Sequence, residues 1–322
     1  MAKSDDIPVD QAFLRSDLKG TELENSFSGA LSFMRRKYSR DLSGVDVAVT
    51  GVPFDCAVSN RPGCRFGPEA IRRASAQLAW GPIWPWGFDP FNVLAVVDYG
   101  DCAIDYAKSA LIDEAIVDHM RPIIDAGAFP LVLGGDHYIS YPLLKAQAKK
   151  HGPLAFLHFD AHRDVEVSDV RCQDHGSMFR YALEDGLIDP EKSIQIGIRT
   201  TFEGEQSHGM TILHADKVQE MSAAEVAVAV REVVGTSKTY LTFDIDCLDP
   251  AFAPGTGTPV VGGLSSHQAL SILRRLVGID FVGADLVEVS PSYDVAQITS
   301  LAAATIATEI LCVHAENVKQ ST

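Results

Sequence analysis

Two stretches of the 322-residue chain are dense in side chains that bind metal ions: His158-Phe159-Asp160-Ala161-His162-Arg163-Asp164 and Thr242-Phe243-Asp244-Ile245-Asp246-Cys247-Leu248-Asp249-Pro250. Each closes a strongly apolar, β-like run. Residues two apart on an extended strand point the same way, so Asp160, His162 and Asp164 are expected to converge on one face, as are Asp244 and Asp246. Five ligands exceed what one ion needs. A third apolar run, Leu131 to Leu133, ends in Gly134 and Gly135, which are expected to turn the backbone sharply and aim His137 over the strand end as a sixth ligand. Together these residues predict a binuclear metal site. A carboxylate-rich N/O set without thiolate favours Mn²⁺ over softer-liganded Zn²⁺ or Cu, while ligand counting leaves Zn²⁺, Co²⁺ and Fe²⁺ open. Any one of these residues alone reads as a cap or ion-pair partner, but three clusters on three strand ends favour metal.

The elements that must hold them alternate in type. Strands are predicted over Val45–Val52, Val93–Asp98, Pro130–Leu133, Leu154–Asp160, Ser193–Ile198, Thr211–His214, Thr239–Asp244 and Phe281–Val287. Helices are predicted over Pro68–Trp80, Ala110–Ala126, Tyr138–Lys150, Ala223–Val234, Ser266–Val277 and Ala296–His314. Short, near-continuously apolar strands alternating with amphipathic segments predict an α/β fold with a mostly parallel sheet covered by helices on both faces. Ligands of such sheets gather at the strands' carboxyl ends, where all three clusters fall.

The composition, 46% hydrophobic with mean hydropathy near zero, suits a large globular core. No linker, low-complexity tract or repeat divides the chain, so residues 1–322 read as one domain. Residues 1–42 fall outside the alternation, with Phe27, Leu31, Phe33 and Met34 their main apolar cluster, and read as an arm over the domain or a neighbouring subunit. The aromatic, proline-rich segment 81–88 reads as a packed loop or subunit contact. Six scattered cysteines and the lack of a signal pattern imply reduced thiols in a cytoplasm. No apolar run is expected to reach the ~20 residues of a membrane span. The net charge of −16 argues against nucleic acid and mildly toward cationic partners. There is no nucleophile elbow, dinucleotide fingerprint or Walker loop, and Pro254 and Pro259 bracket Gly255-Thr256-Gly257-Thr258 too closely for a phosphate loop.

Three elements, Gly-Gly-Asp-His at 134–137, Asp-Ala-His-x-Asp at 160–164 and the long Asp-Ile-Asp-Cys-Leu-Asp-Pro-Ala-Phe-Ala-Pro-Gly-Thr-Gly-Thr-Pro at 244–259, resemble the signatures of the ureohydrolases. This is the arginase and agmatinase family, whose fold is a three-layer α/β/α sandwich, here expected with about eight strands. The resemblance runs from about Val45 to the C-terminus. It is strongest to agmatinases, through Gly51-Val52-Pro53-Phe54-Asp55, Arg65-x-Gly67-Pro68 and Leu187-Ile188-Asp189-Pro190. It implies two Mn²⁺ per chain, one on His137, Asp160, Asp164 and Asp244, the other on Asp160, His162, Asp244 and Asp246, with Asp160 and Asp244 bridging. It also implies a metal-bridging hydroxide as nucleophile, with Asp164 passing its proton to the leaving nitrogen. Glu288 is implied to pair bidentately with a guanidinium, His175 to relay protons and Thr258 to lie beside the guanidinium. His119, His151, His208, His214, His267 and His314 lack cluster partners and read as structural or surface histidines.

Two departures bear on the substrate. The loop between Asp164 and His175 carries Glu166, Asp169 and Asp174 where arginases hold an α-carboxylate, which disfavours an amino acid and favours a distal amine, with Glu166 the candidate partner. Arg163 stands where a small residue is common, and alternation points it away from the metals toward a structural or subunit role. The expected reaction is hydrolysis of agmatine, a small cationic guanidino substrate, to putrescine and urea, in a homotrimer or homohexamer. Guanidinobutyrate or guanidinopropionate hydrolysis is the nearest alternative, followed by a same-fold deacetylase, which would lack part of the ligand set, and a non-catalytic metal-binding homologue.

Overall fold

A computed structural model describes residue 12 and residues 17–20, 25–167, 171–202 and 206–321. Asp169 lies outside the described residues. The strands are β1 (Lys37–Tyr38), β2 (Val47–Val52), β3 (Val96–Asp101), β4 (Phe129–Gly134), β5 (Ala155–Phe159), β6 (Ile194–Ile198), β7 (Thr211–His214), β8 (Thr239–Asp244) and β9 (Phe281–Val287). They form one sheet of nine strands in the order β1-β3-β2-β4-β9-β8-β5-β6-β7, with every pairing parallel. All eight predicted strands are present; β1 is the addition. Two residues are too few for a periodic signal, and β1 exists because β3 offers it an open edge.

The sheet is buried on both sides because its strands alternate between two hydrophobic clusters. Val47, Val49, Leu131, Leu133, Leu157, Phe159, Leu241 and Phe243 face one, while Ala48, Val52, Val132, Phe156 and Tyr240 face the other. The first face is covered by α1 (Gly67–Ser75), α5 (Ala215–Glu220), α6 (Ala223–Val234), α7 (Ser266–Leu273) and α8 (Ile298–Ser321). The second is covered by α2 (Ile112–Asp125), α3 (Ser140–His151) and α4 (Met178–Glu184). This is the three-layer α/β/α sandwich. Capping boxes set two of the helix starts, Ser222 with Glu225 and Ser265 with Gln268, each satisfying otherwise unpaired backbone N–H groups. Helices α4 and α5, of seven and six residues, went unpredicted because neither completes enough turns to show a period.

Two expectations change, those for the N-terminal arm and for the membrane-length run. Phe33 and Met34 of the expected arm are buried in the first cluster, and fully buried Arg36 lies 4.0 Å above the Phe91 ring, so residues 33–38 are built into the sheet edge. Phe27, by contrast, is exposed. In the aromatic loop, Trp86 Nε1 donates to Glu309 Oε2 at 2.6 Å while Trp84 stands in solvent. Finally, Ile298–Gln320 is long and apolar enough to cross a membrane, against the expectation that no segment approaches that length; Ser and Thr break its apolar runs without breaking its helix, and it packs mostly buried against the sheet.

Candidate metal centre

Four adjacent strands at the sheet centre, β4, β9, β8 and β5, deliver the site from their carboxyl ends. Register aligns them: Leu133 pairs with Leu286, Asp244 with Val287 and Phe159 with Phe243, so the residues that follow emerge side by side. The strands end earlier than the period-2 reading required. β5 stops at Phe159, β8 ends on Asp244, and Asp246 sits in a 3₁₀ turn. The convergence of Asp160, His162 and Asp164 is therefore made by a loop, in which Asp164 adopts a left-handed φ of 55°, rather than by strand alternation. Gly134 and Gly135 likewise act differently from expectation. Neither has a positive φ; a β-carbon on Gly135 would lie 2.5 Å from the Phe54 and Val52 carbonyl oxygens, so the glycine is needed for close passage. The turn itself is held by Asp136, which accepts from the Tyr138 N–H at 3.1 Å and the Ala57 N–H at 3.0 Å.

His137 Nδ1 faces three carboxylate oxygens, Asp160 Oδ2 at 3.0 Å, Asp164 Oδ2 at 3.0 Å and Asp244 Oδ2 at 3.2 Å. None is aligned as a hydrogen bond, and this buried nitrogen has no such partner. Its other nitrogen explains the arrangement. Thr242 donates its one hydroxyl hydrogen to Asp285, so at 2.8 Å it can only accept from His137 Nε2–H. That leaves the Nδ1 lone pair aimed among three carboxylates, the arrangement of a metal-binding histidine whose second nitrogen is hydrogen-bonded. Asp285, fully buried on β9, also accepts from Ser140 Oγ at 2.8 Å and the Tyr240 hydroxyl at 2.9 Å.

A second group lies beside the first. His162 Nδ1 is 3.0 Å from Asp246 Oδ2 and 3.3 Å from Asp160 Oδ1. Asp160 thus turns one oxygen to each group, whereas Asp244 contacts the first through Oδ2 and spends Oδ1 on the Asp246 N–H at 2.8 Å. Thr258 Oγ1 rests 3.3 Å from Asp246 Oδ2.

Four buried carboxylates, Asp160, Asp164, Asp244 and Asp246, crowd the cluster, a charge balance that suits a cation. Burial, together with the neighbouring carboxylates, pushes Asp244 well above the usual carboxylate range, raises Asp246, and lifts Asp164 to about 7. Burial opposes charge on His137 and His162, but the surrounding carboxylates overcome it, raising His137 well above the ordinary imidazole value and His162 to about 12. These shifts favour protons on a cluster whose geometry suits divalent ions, and the two would compete for the same lone pairs.

Glu288 follows β9 directly, held at a φ of 64° that a glutamate rarely adopts. Its Oε1 accepts from the His137 backbone N–H at 2.8 Å and from His175 Nδ1 at 2.9 Å; its Oε2 accepts from the Cys64 thiol at 3.1 Å. Oε1 is saturated, and one lone pair of Oε2 remains, on the side where Gly257 has no side chain. The expected bidentate pairing with a guanidinium therefore requires one of these donors to let go. Burial opposes ionisation of Glu288, yet the His175 charge prevails and lowers its pKa. His175 is raised to about 9, with burial overcome by Glu288. Its Nε2, however, receives the Ser59 backbone N–H at 3.0 Å, and a backbone donor requires a lone pair there. The hydrogen bonds suit neutral His175 with its hydrogen on Nδ1, while the surrounding carboxylates pull toward protonation.

The residues expected around the far end of a substrate divide. Glu166 packs its carboxylate over Gly176, beside His175. Asp174 is consumed locally, accepting from Ser177 Oγ at 2.6 Å and the Gly176 N–H at 3.3 Å. Arg65 pairs with Asp55 under the Tyr106 ring, and Arg61 lies over Tyr293. Arg163 is buried, donating to Gln195 Oε1 at 3.1 Å and the Gln206 carbonyl at 2.7 Å. Sequence reasoning passed over Ser59 and Cys64, which carry no pattern, and Thr242 and Asp285, whose only signal is an acid inside an otherwise apolar strand. It also left His158 unassigned, although its position two before Asp160 was a usable clue.

Residues 45–313 match the family model described as the arginase family. The chain is 52% identical over 305 residues to an agmatinase of Chromobacterium violaceum, covering 94% of each chain. The solved structure described as a hypothetical agmatinase from Burkholderia thailandensis is 52% identical and superposes with a TM-score of 0.94, covering 98% of this chain and 99% of that one. Proclavaminate amidino hydrolase from Streptomyces clavuligerus, 38% identical, superposes with a TM-score of 0.87 over 91% of this chain and 100% of its own.

Proposed function

The chain belongs to the arginase family and is a ureohydrolase, and from that premise we propose that it hydrolyses agmatine to putrescine and urea on two Mn²⁺ ions. His137, Asp160, Asp164 and Asp244 would hold one ion, and Asp160, His162, Asp244 and Asp246 the other. The observation that carries the metal reading is the buried His137 Nδ1 lone pair among three carboxylate oxygens at 3.0–3.2 Å. When bound, two divalent cations supply the Lewis acidity that makes water nucleophilic near neutral pH.

The protein's own residues do the rest. Glu288, ionised and buried, offers the remaining Oε2 lone pair to a guanidinium and fixes its carbon near the cluster. As water oxygen adds to that carbon and the bond to the alkyl nitrogen breaks, the departing amine must gain the proton that water loses. His175 is suited to move it, since its Nδ1–H points at Glu288 and its Nε2 accepts from Ser59, so one ring can receive and deliver. The burial of Glu288 and His175 excludes water that would compete for the guanidinium.

Agmatine is favoured by two supports. Relatives about half identical over nearly the whole chain are agmatinases, and the Glu166 carboxylate beside His175 suits an ammonium tail. The test is urea release at saturating Mn²⁺ from agmatine, arginine, 4-guanidinobutyrate and 3-guanidinopropionate. Agmatine should lead in kcat/KM by 10²-fold or more, roughly the discrimination expected from leaving a wrong charge unpaired. A guanidino acid in first place would overturn agmatine and direct attention to Arg61; no urea from any substrate would overturn the enzyme itself.

A further inference from the structure

We infer that Arg163, Gln195 and His158 form a buried relay that positions Asp160 for the cations, with His158 donating to that carboxylate instead of ligating metal. The inference rests on the metal centre proposed above. His158 has an obvious competing role, because its ring lies with His137, Asp160 and Asp164 in one group whose ligand atoms are within 4.8 Å of one another. The hydrogen bonds decide between the two.

An arginine side chain can only donate. Arg163 Nε meets Gln195 Oε1 at 3.1 Å, so that atom is the amide oxygen, and the amide nitrogen lies on the other side. There Nε2 donates to the Arg163 carbonyl at 2.9 Å and to His158 Nδ1 at 2.9 Å. Turning the amide over would set its NH₂ against the guanidinium N–H and its oxygen against a carbonyl, two repulsions in a buried site. His158 Nδ1 is therefore an acceptor, and the neutral ring carries its hydrogen on Nε2. That hydrogen points at Asp160 Oδ2, 2.7 Å away. A nitrogen already bearing hydrogen has no lone pair for a cation.

Gln195, His158 and Asp160 are fully buried, and Arg163 nearly so, anchored at its far end by the Gln206 carbonyl. Water cannot substitute for any link. Asp160 is the carboxylate whose two oxygens serve both groups, so the donor on Oδ2 fixes the plane in which both are offered. This assigns Arg163 a purpose at a distance. It points away from the cluster, yet sets the tautomer of the histidine that holds the shared ligand.

The experiment is calorimetric titration of Mn²⁺ into chelator-stripped protein, with metal-free melting curves to establish that each variant is folded. Gln195→Leu, Arg163→Met and His158→Phe should each weaken Mn²⁺ by about 10- to 100-fold, the usual effect of losing an outer partner of a ligand, while two ions still bind at saturation. His158→Gln keeps a donor near the Nε2 position and should recover most of the loss, as a merely structural role would not. Adding Gln195→Leu to His158→Phe should change affinity by no more than about twofold, since both act through one link. Loss of a whole Mn²⁺ in His158→Phe would make His158 a ligand and overturn the inference. So would effects that multiply in the double variant, or wild-type affinity in Gln195→Leu. Wild-type protein that binds no Mn²⁺ would overturn the metal centre and the relay together; wild-type binding with unchanged variants overturns the relay alone.

Discussion

The Cys64 thiol donates to Glu288 Oε2 at 3.1 Å, from a position with no exposed surface. Burial and the adjacent Glu288 charge push the thiol's pKa far upward, so it remains a donor at any physiological pH. One side of the carboxylate proposed to receive a guanidinium is thus already occupied. Cys64→Ala should free that lone pair while loosening the carboxylate, and Cys64→Ser should preserve it. A weak hydrogen bond to a charged acceptor is worth about 1 kcal/mol, so KM for agmatine should change by roughly fivefold in Cys64→Ala with kcat little altered. Identical kinetics in all three proteins would remove Cys64 from the substrate site.

Asp160 and Asp244 are proposed as bridges, yet the geometry treats them differently, since Asp160 contacts both groups and Asp244 contacts one. Asp160→Asn should empty or disorder both ion sites, and Asp244→Asn is expected to do the same if it bridges. His137→Ala should mainly weaken one. Metal content per chain by atomic absorption measures this. Two fully retained ions in Asp244→Asn would limit bridging to Asp160.

Thr242 stands between His137 Nε2 and Asp285, donating to one and accepting from the other. Thr242→Val keeps the shape and removes both bonds, leaving a buried imidazole N–H without its partner. Loss of about 1–3 kcal/mol is expected in the metal-free protein, read as a lower urea midpoint at unchanged m. Mn²⁺ affinity should fall as well, because the hydroxyl no longer selects the tautomer. A metal-free midpoint equal to wild type would mean that the hydroxyl contributes nothing to His137.

Glu288→Gln and His175→Ala should separate binding from turnover. The amide removes the charge that meets the guanidinium, a charged hydrogen bond worth about 1.5–3 kcal/mol, and should lower kcat/KM by roughly 10- to 150-fold with KM raised. His175→Ala should lower kcat more than it raises KM, because proton movement follows seating of the substrate. Near-normal catalysis by Glu288→Gln would require another residue to hold the guanidinium.

Two buried histidines away from the site add to the loss of stability in acid. Burial pushes both His119 and His314 down to about 4, His119 beside Thr50 and Arg40 and His314 stacked 4.5 Å from the Phe129 ring. Their folded pKa values lie below the unfolded one, so between about 6.5 and about 4 the unfolded chain binds more protons than the folded one. Stability should fall as pH drops through that window, level off below it and be unaffected above it. Each contributes on the order of 2 kcal/mol. In His314→Gln the difference in urea stability between pH 7 and pH 4.5 should shrink by about that amount; an unchanged difference would show that His314 does not titrate between the two states.

Much of the molecule was legible along the chain because it is written in local patterns. Buried parallel strands are near-continuous apolar runs, and all eight predicted ones form, three of them, Thr211–His214, Thr239–Asp244 and Phe281–Val287, with the predicted bounds. The aspartates and histidines of the metal cluster stood out because such residues rarely end apolar strands in groups. What did not transfer was the reason for their convergence. Alternation placed Asp160, His162 and Asp164 on one strand face, whereas the strand has ended and a left-handed Asp164 turns the loop.

Amino-acid order by itself determined the layers, eight of the nine strands, the family and the residue types that gather at the carboxyl ends. These depend on hydrophobic period and composition, which any short window displays. Only the tertiary structure decided which hydrogen each partner holds. Cys64 reaches Glu288 across 224 positions, Thr242 meets His137 across 105, and Gln195 meets His158 across 37. Such contacts follow from strand order and register, which place residues distant in sequence within hydrogen-bond range. Because a buried polar atom must find a partner, those placements then dictate tautomers and free lone pairs that no local pattern encodes.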